Sequence, residues 1–276
     1  GQVHREHGMW LLAAEAYQRA LDQTIEAPER ARLKALVGEA YMHVGDQRGL
    51  PYLEAAVLEL NPDAQPAQLA MAWASLGRYQ HYAAAHRQAI EYLDRARELA
   101  EAAGNDEVLV LVQSFLAGAY QHMGRFDEAD RWAIATVELG KRRGLPSAES
   151  LGYEFLSENA MNRGYWDECI RYARLNHDIG QRIGALDRVA WAGYPQSAAW
   201  YAKGDLRRAR GLAVETLEMA ERIGEARLST WLDAHLVRVC IDLDEWAVAE
   251  QYARSGVERA DALGQLALQV FNLSSG

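Results

Sequence analysis

A repeat of about 40 residues constrains the fold of this chain more than any other feature of its sequence. Turn residues recur at intervals of 37, 39 and then four times 40: Gly8, Gly45, Ala84, Gly124, Gly164, Gly204 and Asp244. A second series lies 20 residues after a turn residue in each case: Gly104, Gly144, Gly184, Gly224 and Gly264. Glycine suits the end of a helix because the left-handed backbone conformation found there costs it little. Two glycine series in step predict a stack of helix pairs.

The composition agrees with a helical solenoid. Half of the 276 residues are hydrophobic, a quarter are charged, and only six are prolines. A solenoid has one continuous core whatever its length, so we expect residues 1–276 to form a single domain. The chain begins at Gly1, Gly8 already occupies a turn position, and Leu266 to Leu273 resembles the start of another helix. We therefore expect a fragment of a longer, multidomain protein.

Charge and cysteine content exclude several classes of function. A net charge of −10 disfavours direct binding to nucleic acid and to anionic membrane surfaces. No apolar run is long enough to span a membrane, and no signal peptide opens the chain. Two cysteines, Cys169 and Cys240, are too few for a disulfide framework. These features together favour a cytoplasmic protein.

Helix pairs are expected between the turn residues, with regular units from residue 106 onward. Aspartates that could cap these helices precede or open them: Asp106, Asp127, Asp167, Asp187 and Asp205. The second pair is irregular, since Gly49, Leu53 and Ala56 fit the packing pattern after a slip of one residue. Pro62 follows this pair and ends it.

The packing positions carry a family resemblance. Small residues stand seven before the turn and five after it, with large aromatic residues between them, as in LAGAYQHMGRFDEA (Leu116–Ala129). This segment and GMWLLAAEAYQRAL (Gly8–Leu21) resemble tetratricopeptide repeats. The resemblance covers about six and a half repeats, and each is longer than that family's usual 34 residues. Extended repeats of this kind are similar to those of bacterial multidomain signalling ATPases and of maltose-activator-type transcription regulators.

The resemblance implies an all-α, right-handed superhelical solenoid whose concave wall is lined by the first helix of each pair. Reading that wall at helical spacing gives eight candidate residues for binding a partner or ligand. They are Glu154, Glu158, Asn162, Trp191, Tyr194, Tyr201, Trp231 and Arg238. Aromatic residues and arginine are the usual anchors of protein interfaces, although each of these rings could equally belong to the core.

Other chemistry is less well supported. His43, His81 and His122 are separated by whole repeats and lack the spacing of a zinc site. Cys169 and Cys240 occupy packing positions, and no phosphate loop or nucleophile motif is present. We therefore expect neither a catalytic residue, nor a metal, nor a cofactor.

The sequence predicts a non-catalytic scaffold that binds a protein or peptide partner in its concave groove. It would serve as the interaction or sensor arm of a bacterial regulatory protein. The alternative is a sensor domain for a small molecule, such as a sugar or another metabolite, that controls attached effector domains. A purely structural spacer is a third reading.

Overall fold

The computed structural model describes residues 10–43 and 46–263 of the chain. These residues form thirteen α-helices and one 3-10 helix, and no β-strand occurs among them. The first seven helices are α1 (Trp10–Gln23), α2 (Ala27–His43), α3 (Leu50–Glu59), α4 (Pro66–Tyr82), α5 (His86–Ala103), α6 (Asp106–His122) and α7 (Phe126–Arg143). The remaining six are α8 (Pro146–Asn162), α9 (Trp166–Ile183), α10 (Leu186–Ala202), α11 (Leu206–Ile223), α12 (Ala226–Asp242) and α13 (Trp246–Leu263).

The all-α fold of helix pairs predicted from the repeat is confirmed. The largest departure from the regular repeat lies in the second helix of the second pair, which is divided in two. A 3-10 helix, Gln47–Gly49, precedes α3 there, and Asp46 caps it by accepting a hydrogen bond from the backbone N–H of Arg48. The predicted slip is confirmed as well, because Leu53 and Ala56 are fully buried.

Within the described residues, left-handed backbone ends the helices where the two glycine series predict it, while Gly8, Gly45 and Gly264 lie outside those residues. Positive φ angles occur at Gly104, Gly124, Gly144, Gly164, Gly184, Gly204 and Gly224. Ala84 and Asp244 adopt φ angles of 59° and 60° without being glycine, which maintains the turn at those positions of the repeat. Of the five aspartates expected to cap helices, Asp205 accepts from the N–H of Arg208 as an N-cap. Asp106 instead opens α6, whose cap is Asn105, and Asp127, Asp167 and Asp187 lie in first turns.

The chain packs as two compact units, one ending at Trp132 and one beginning at Ala133. In the first unit, α4 contacts both α2 and α6, which are the first helices of neighbouring pairs. In the second unit, α10 contacts α8 and α12 in the same way. The first helices therefore form one wall in each unit. A single domain over residues 1–276 remains a prediction.

Close helix approach in the second unit depends on small side chains. A Cβ atom at Gly193 would lie 2.0 Å from Oγ1 of Thr216, so α10 and α11 can meet at this distance only with glycine there. Ser197 is fully buried one turn further along α10, and its hydroxyl donates to the carbonyl of Ala209 at 2.7 Å. These contacts fix the rotation of α10 and thus which of its side chains face the wall.

Candidate functional site

Five rings from α10 and α12 meet on the wall of the second unit. We call Trp191, Tyr194, Tyr201, Trp231 and His235 the aromatic wall. The ring centroids of Trp191 and Trp231 are 5.7 Å apart with an edge-to-face geometry, and Tyr194 lies 5.8 Å from Trp231. His235 continues the row, at 5.8 Å from Tyr194 and 5.6 Å from Tyr201. The four aromatic residues selected from the sequence are therefore contiguous, and His235 joins them.

The rings of the aromatic wall differ in accessibility. Trp191 and Tyr194 are each only 8% exposed and belong to the hydrophobic core around Leu217, Leu228 and Leu232. Trp231 and Tyr201 are half-buried, so part of each ring faces solvent. The surface that a partner could contact is therefore formed by Trp231 and Tyr201, while the buried rings of Trp191, Tyr194 and His235 support it from below.

His235 is the buried centre of this cluster. Its side chain is 2% exposed, and its Nε2 lies 2.9 Å from Oγ of Ser197. Because the Ser197 hydroxyl donates to the carbonyl of Ala209, Nε2–H of His235 donates to Ser197. Burial, aided by the nearby positive charge of Arg238, lowers the pKa of His235 to about 4. This serine–histidine pair is locked into packing and is unsuited to nucleophilic catalysis, since the hydroxyl proton is directed at a backbone carbonyl.

Glu154 forms an ion pair with an arginine that the sequence reading did not select. The Nη1 of Arg188 lies 2.7 Å from Oε2 of Glu154, whose side chain is 12% exposed. Burial raises the pKa of Glu154, and the attraction of Arg188 opposes that rise. Arg227 lies beside this pair with its guanidinium 5.2 Å from the ring centroid of Trp191, within cation–π range. Glu154 is thus paired with a cationic side chain of the same chain, and this ion pair stabilises the edge of the wall.

Two of the remaining polar candidates, Arg238 and Glu158, lie near the hydroxyl of Tyr194. Burial raises the pKa of Tyr194, while the guanidinium of Arg238 at its hydroxyl lowers it and the carboxylate of Glu158 raises it. Arg238 itself is exposed. The hydroxyl of Tyr201 donates to Oδ2 of Asp242 at 2.7 Å, and this bond raises the pKa of Tyr201.

Asn162 is the one selected residue that lies apart from the rings. It is exposed at the last residue of α8, and within the described part of the chain it makes no hydrogen bond or ring contact with the aromatic wall. The sequence reading missed Arg188, Arg227 and His235. A signal for His235 was present, because it follows Trp231 by four residues and so shares its helix face.

The two cysteines occupy buried packing positions. Burial raises the pKa of Cys169 to about 12, and its Sγ donates to the carbonyl of Pro195. Cys240 is buried too, and both are free thiols, as their packing positions predict.

His81 and His122 are close in space although they are a whole repeat apart in the sequence, because their ring centroids are 5.1 Å from each other. The side chain of His43 lies outside the described residues.

Neither a metal site nor a membrane-spanning helix occurs in the part of the chain that the structure describes. No group of three or more His, Cys, Asp or Glu side chains there is arranged to hold a metal ion. No described helix combines the length and apolar character needed to cross a bilayer.

Comparison with solved structures identifies the fold. The sequence matches no family model and no curated protein sequence. The apo form of RapI superposes over 96% of both chains with a TM-score of 0.76 at 11% identity. NprR in complex with its cognate peptide NprX superposes over 99% of this chain and 82% of its own, with a TM-score of 0.73 at 15% identity.

A third similar structure is a signal-transduction ATPase with numerous domains and a tetratricopeptide repeat sensor, from Pyrococcus horikoshii. It matches 98% of this chain with a TM-score of 0.72 at 17% identity, and this chain spans 43% of that protein. Likeness at such low identity establishes the fold alone. The chain has the tetratricopeptide-like helical repeat fold that its sequence resembles.

Proposed function

We propose that this protein is a non-catalytic scaffold that binds a peptide or protein segment on the aromatic wall of its second unit. The observation that carries the proposal is the pairing of two accessible rings, Trp231 and Tyr201, with the exposed guanidinium of Arg238 on one helix wall. Tryptophan, tyrosine and arginine are the residues that most often dominate the energy of protein interfaces.

The rings are held rigidly before any partner arrives. Trp191 fixes Trp231 by edge contact, and His235 fixes both Tyr194 and Tyr201. A preordered surface loses little side-chain entropy on binding, so more of the contact energy appears as affinity. In this arrangement Trp231 and Tyr201 bury apolar groups of the partner, and Arg238 and Glu158 orient its polar groups.

The solved structures with this fold support the same class of function. NprR was crystallised with its cognate peptide, and the ATPase from Pyrococcus horikoshii carries its repeats as a sensor. By analogy, the protein would be the interaction or sensor arm of a cytoplasmic bacterial regulator. Its partner would then change the state of attached domains.

The proposal can be tested with peptides selected from a random library on the intact protein. Affinities of the selected peptides are measured for the wild type and for Trp231→Ala/Arg238→Ala. The matched control is Trp246→Ala/Arg254→Ala, which removes an exposed tryptophan and an exposed arginine from α13, outside the wall. We expect the wall variant to bind at least about tenfold more weakly and the control to bind as the wild type does.

Other outcomes would overturn the proposal. Peptides that bind the wall variant and the wild type equally would place recognition elsewhere. If the library yields no peptide and a sugar, nucleotide or amino acid raises the unfolding temperature of the wild type but not of the wall variant, the site is that of a small-molecule sensor. If neither class of ligand binds, the scaffold is structural.

A further inference from the structure

A groove lies between α9 and α11, the second helices of two neighbouring pairs in the second unit. Both helices contact α10, which forms the floor of the groove. Two cavities of about 410 and 350 Å³ lie along it, and Arg174 lines both of them. We call the end of this groove that is lined by Arg171, Arg174, Leu175 and Trp200 the second-helix groove.

The floor of the second-helix groove carries an arginine stacked on an aromatic ring. The same stack occurs at two other places in the repeat, always on the ring four residues before the turn residue. The pairs and their distances from guanidinium carbon to ring centroid are Tyr41 with Arg48 at 4.6 Å, Tyr120 with Arg125 at 4.7 Å and Trp200 with Arg208 at 3.8 Å. A guanidinium that lies flat on a ring keeps its N–H edge available for a carboxylate.

A carboxylate of the chain itself occupies that edge in the first two stacks. Nε of Arg48 donates to Oδ2 of Asp46 at 2.8 Å, and Nε of Arg125 donates to Oε1 of Glu128 at 2.9 Å. Among the described residues, the guanidinium of Arg208 contacts the ring of Trp200 and has no carboxylate partner. The third stack therefore lacks the acidic group that the other two contain.

Helix α9 adds two more arginines of the same kind. Arg171 lies over the ring of Tyr172 at 4.3 Å, and both Arg171 and Arg174 are exposed. Within the part of the chain that the structure describes, neither forms an ion pair. The one carboxylate that lines this cavity, Asp167, is already paired with Lys203.

These charges make the second-helix groove locally basic on a chain whose net charge is −10. The acidic side chains of the neighbouring cavity, Asp178 and Glu215, lie further along the groove and confine the positive charge to the end at Trp200. A concave surface lined by one sign of charge attracts a partner of the opposite sign. The groove is therefore complementary to an acidic segment at this end.

Apolar surface lies between the guanidinium groups. Leu175 is 36% exposed, Trp200 is half-buried, and Ile170 lies buried beneath them. Exposed ion pairs alone contribute little to affinity, whereas an apolar side chain buried among them adds a contact that excludes water. A fitting partner combines carboxylates with an apolar residue.

We infer that the second-helix groove binds a segment of a protein partner in which Asp or Glu side chains flank an apolar one. The carboxylates accept charge-assisted hydrogen bonds from Arg171, Arg174 and Arg208, as Asp46 and Glu128 do within the chain. The apolar side chain packs on Leu175 and Trp200. This surface shares no residue with the aromatic wall, so its partner is additional to the peptide proposed there.

The experiment selects peptides from a random library on the variant Trp231→Ala/Arg238→Ala, so that ligands of the aromatic wall are not recovered. We expect the selected peptides to be rich in Asp and Glu. Their binding should move the indole N–H resonance of Trp200, which Trp200→Phe assigns in the NMR spectrum. This resonance places the peptide in the groove.

Charge reversal tests the arginines. In the same background, Arg171→Glu/Arg174→Glu should weaken binding by at least about tenfold, because it removes two charge-assisted hydrogen bonds. The matched control is Arg182→Glu/Arg222→Glu, which reverses two charges in the last turns of α9 and α11 and leaves both cavities intact. We expect the control to weaken binding by less than about threefold, since screening limits the effect of distant charges.

Several results would overturn the inference. They are recovery of no peptide, recovery of peptides without acidic residues, an unmoved Trp200 resonance, and equal losses in the two charge-reversed variants. A single-stranded oligonucleotide that moves the Trp200 resonance when no acidic peptide does would also overturn it, because the groove would then recognise phosphate. None of these results bears on the aromatic wall, since the selection uses a protein in which that wall is disabled.

Discussion

Histidine has two different roles in the two units of this protein. In the second unit, His235 is 2% exposed, donates to Ser197 and packs against two tyrosines, so it behaves as a neutral core side chain. In the first unit, three imidazoles contact one another where the helices end, and one of them, His122, is exposed. The comparison shows that ring contacts alone do not define a binding site. The two clusters also differ in their hydrogen bonds, because Nε2 of His235 is bonded to Ser197 whereas the buried Nδ1 of His86 has no hydrogen-bond partner.

The largest effect expected from this comparison is on stability. Trp191→Ala removes a buried ring from the second unit and should lower the free energy of unfolding by about 3–5 kcal/mol. Tyr82→Ala in the first unit removes a ring that is 60% exposed and should cost less than about 1 kcal/mol. Urea unfolding of both variants measures the difference. Equal losses would mean that the two clusters do not differ in packing.

The pH dependence of His235 is the next effect in size. Its pKa is about 4 in the folded protein, below the ordinary 6.5, so the unfolded chain binds a proton first as the pH falls. Stability should therefore be complete above about pH 6.5 and fall by up to about 3 kcal/mol as the pH is lowered towards 4. His235→Gln should reduce this slope in urea unfolding at a series of pH values. An unchanged slope would show that His235 is accessible to protons in the folded state.

Asp233, in the same unit, should make the stability depend on pH in the opposite direction to His235. Its side chain is 1% exposed and bonded to Ser255 and Arg259, yet burial raises its pKa to about 6. The folded protein therefore holds this proton more tightly than the unfolded chain does. Stability is highest below about pH 4 for this group and falls by up to about 3 kcal/mol as the pH rises through 6.

The variant Asp233→Asn isolates this contribution. Between about pH 4 and pH 7 it should lose less stability than the wild type as the pH rises, since it has no carboxyl group to ionise. The same measurement on Glu250→Gln, an exposed carboxylate on α13, provides the control. A parallel pH profile for Asp233→Asn and the wild type would contradict the assigned role.

The smallest effect concerns the rim of the aromatic wall. Tyr201→Phe removes the hydroxyl that donates to Asp242 and keeps the ring in contact with His235. Because Tyr201 is half-buried, the loss should be about 0.5–1 kcal/mol in unfolding free energy. The affinity for a selected peptide should change little, as the ring supplies the contact. A tenfold loss of affinity would mean that the hydroxyl itself contacts the partner.

Repeat spacing predicted most of the architecture. The two glycine series placed the helix ends, and the left-handed residues found at Gly104, Gly144, Gly184 and Gly224 follow from it directly. The Asp205 cap was also predictable, because it stands one residue before its helix. These features are local or periodic, and a sequence displays both.

Burial and long-range pairing were less predictable. The partner of Glu154 is Arg188, 34 residues away, and no local pattern joins them. On the sequence alone, Trp191 and Tyr194 cannot be told apart from Trp231, because all three lie at helical spacing on the predicted wall. Trp191 and Tyr194 are buried because neighbouring helices cover them. The contact between His81 and His122 could have been foreseen, because residues about one repeat apart are neighbours in a stack of repeats.

The most direct test of the account is amide hydrogen exchange of the intact protein, with and without a selected peptide. Binding on the aromatic wall predicts that added protection appears in α10 and α12, which carry its rings, and in the adjacent first helix α8, and is weak in α9, α11 and α13. The variant Trp231→Ala/Arg238→Ala should show no added protection at the same peptide concentration. Protection confined to α9, α11 and α13 would contradict the account, because the partner would then occupy the opposite face of the second unit.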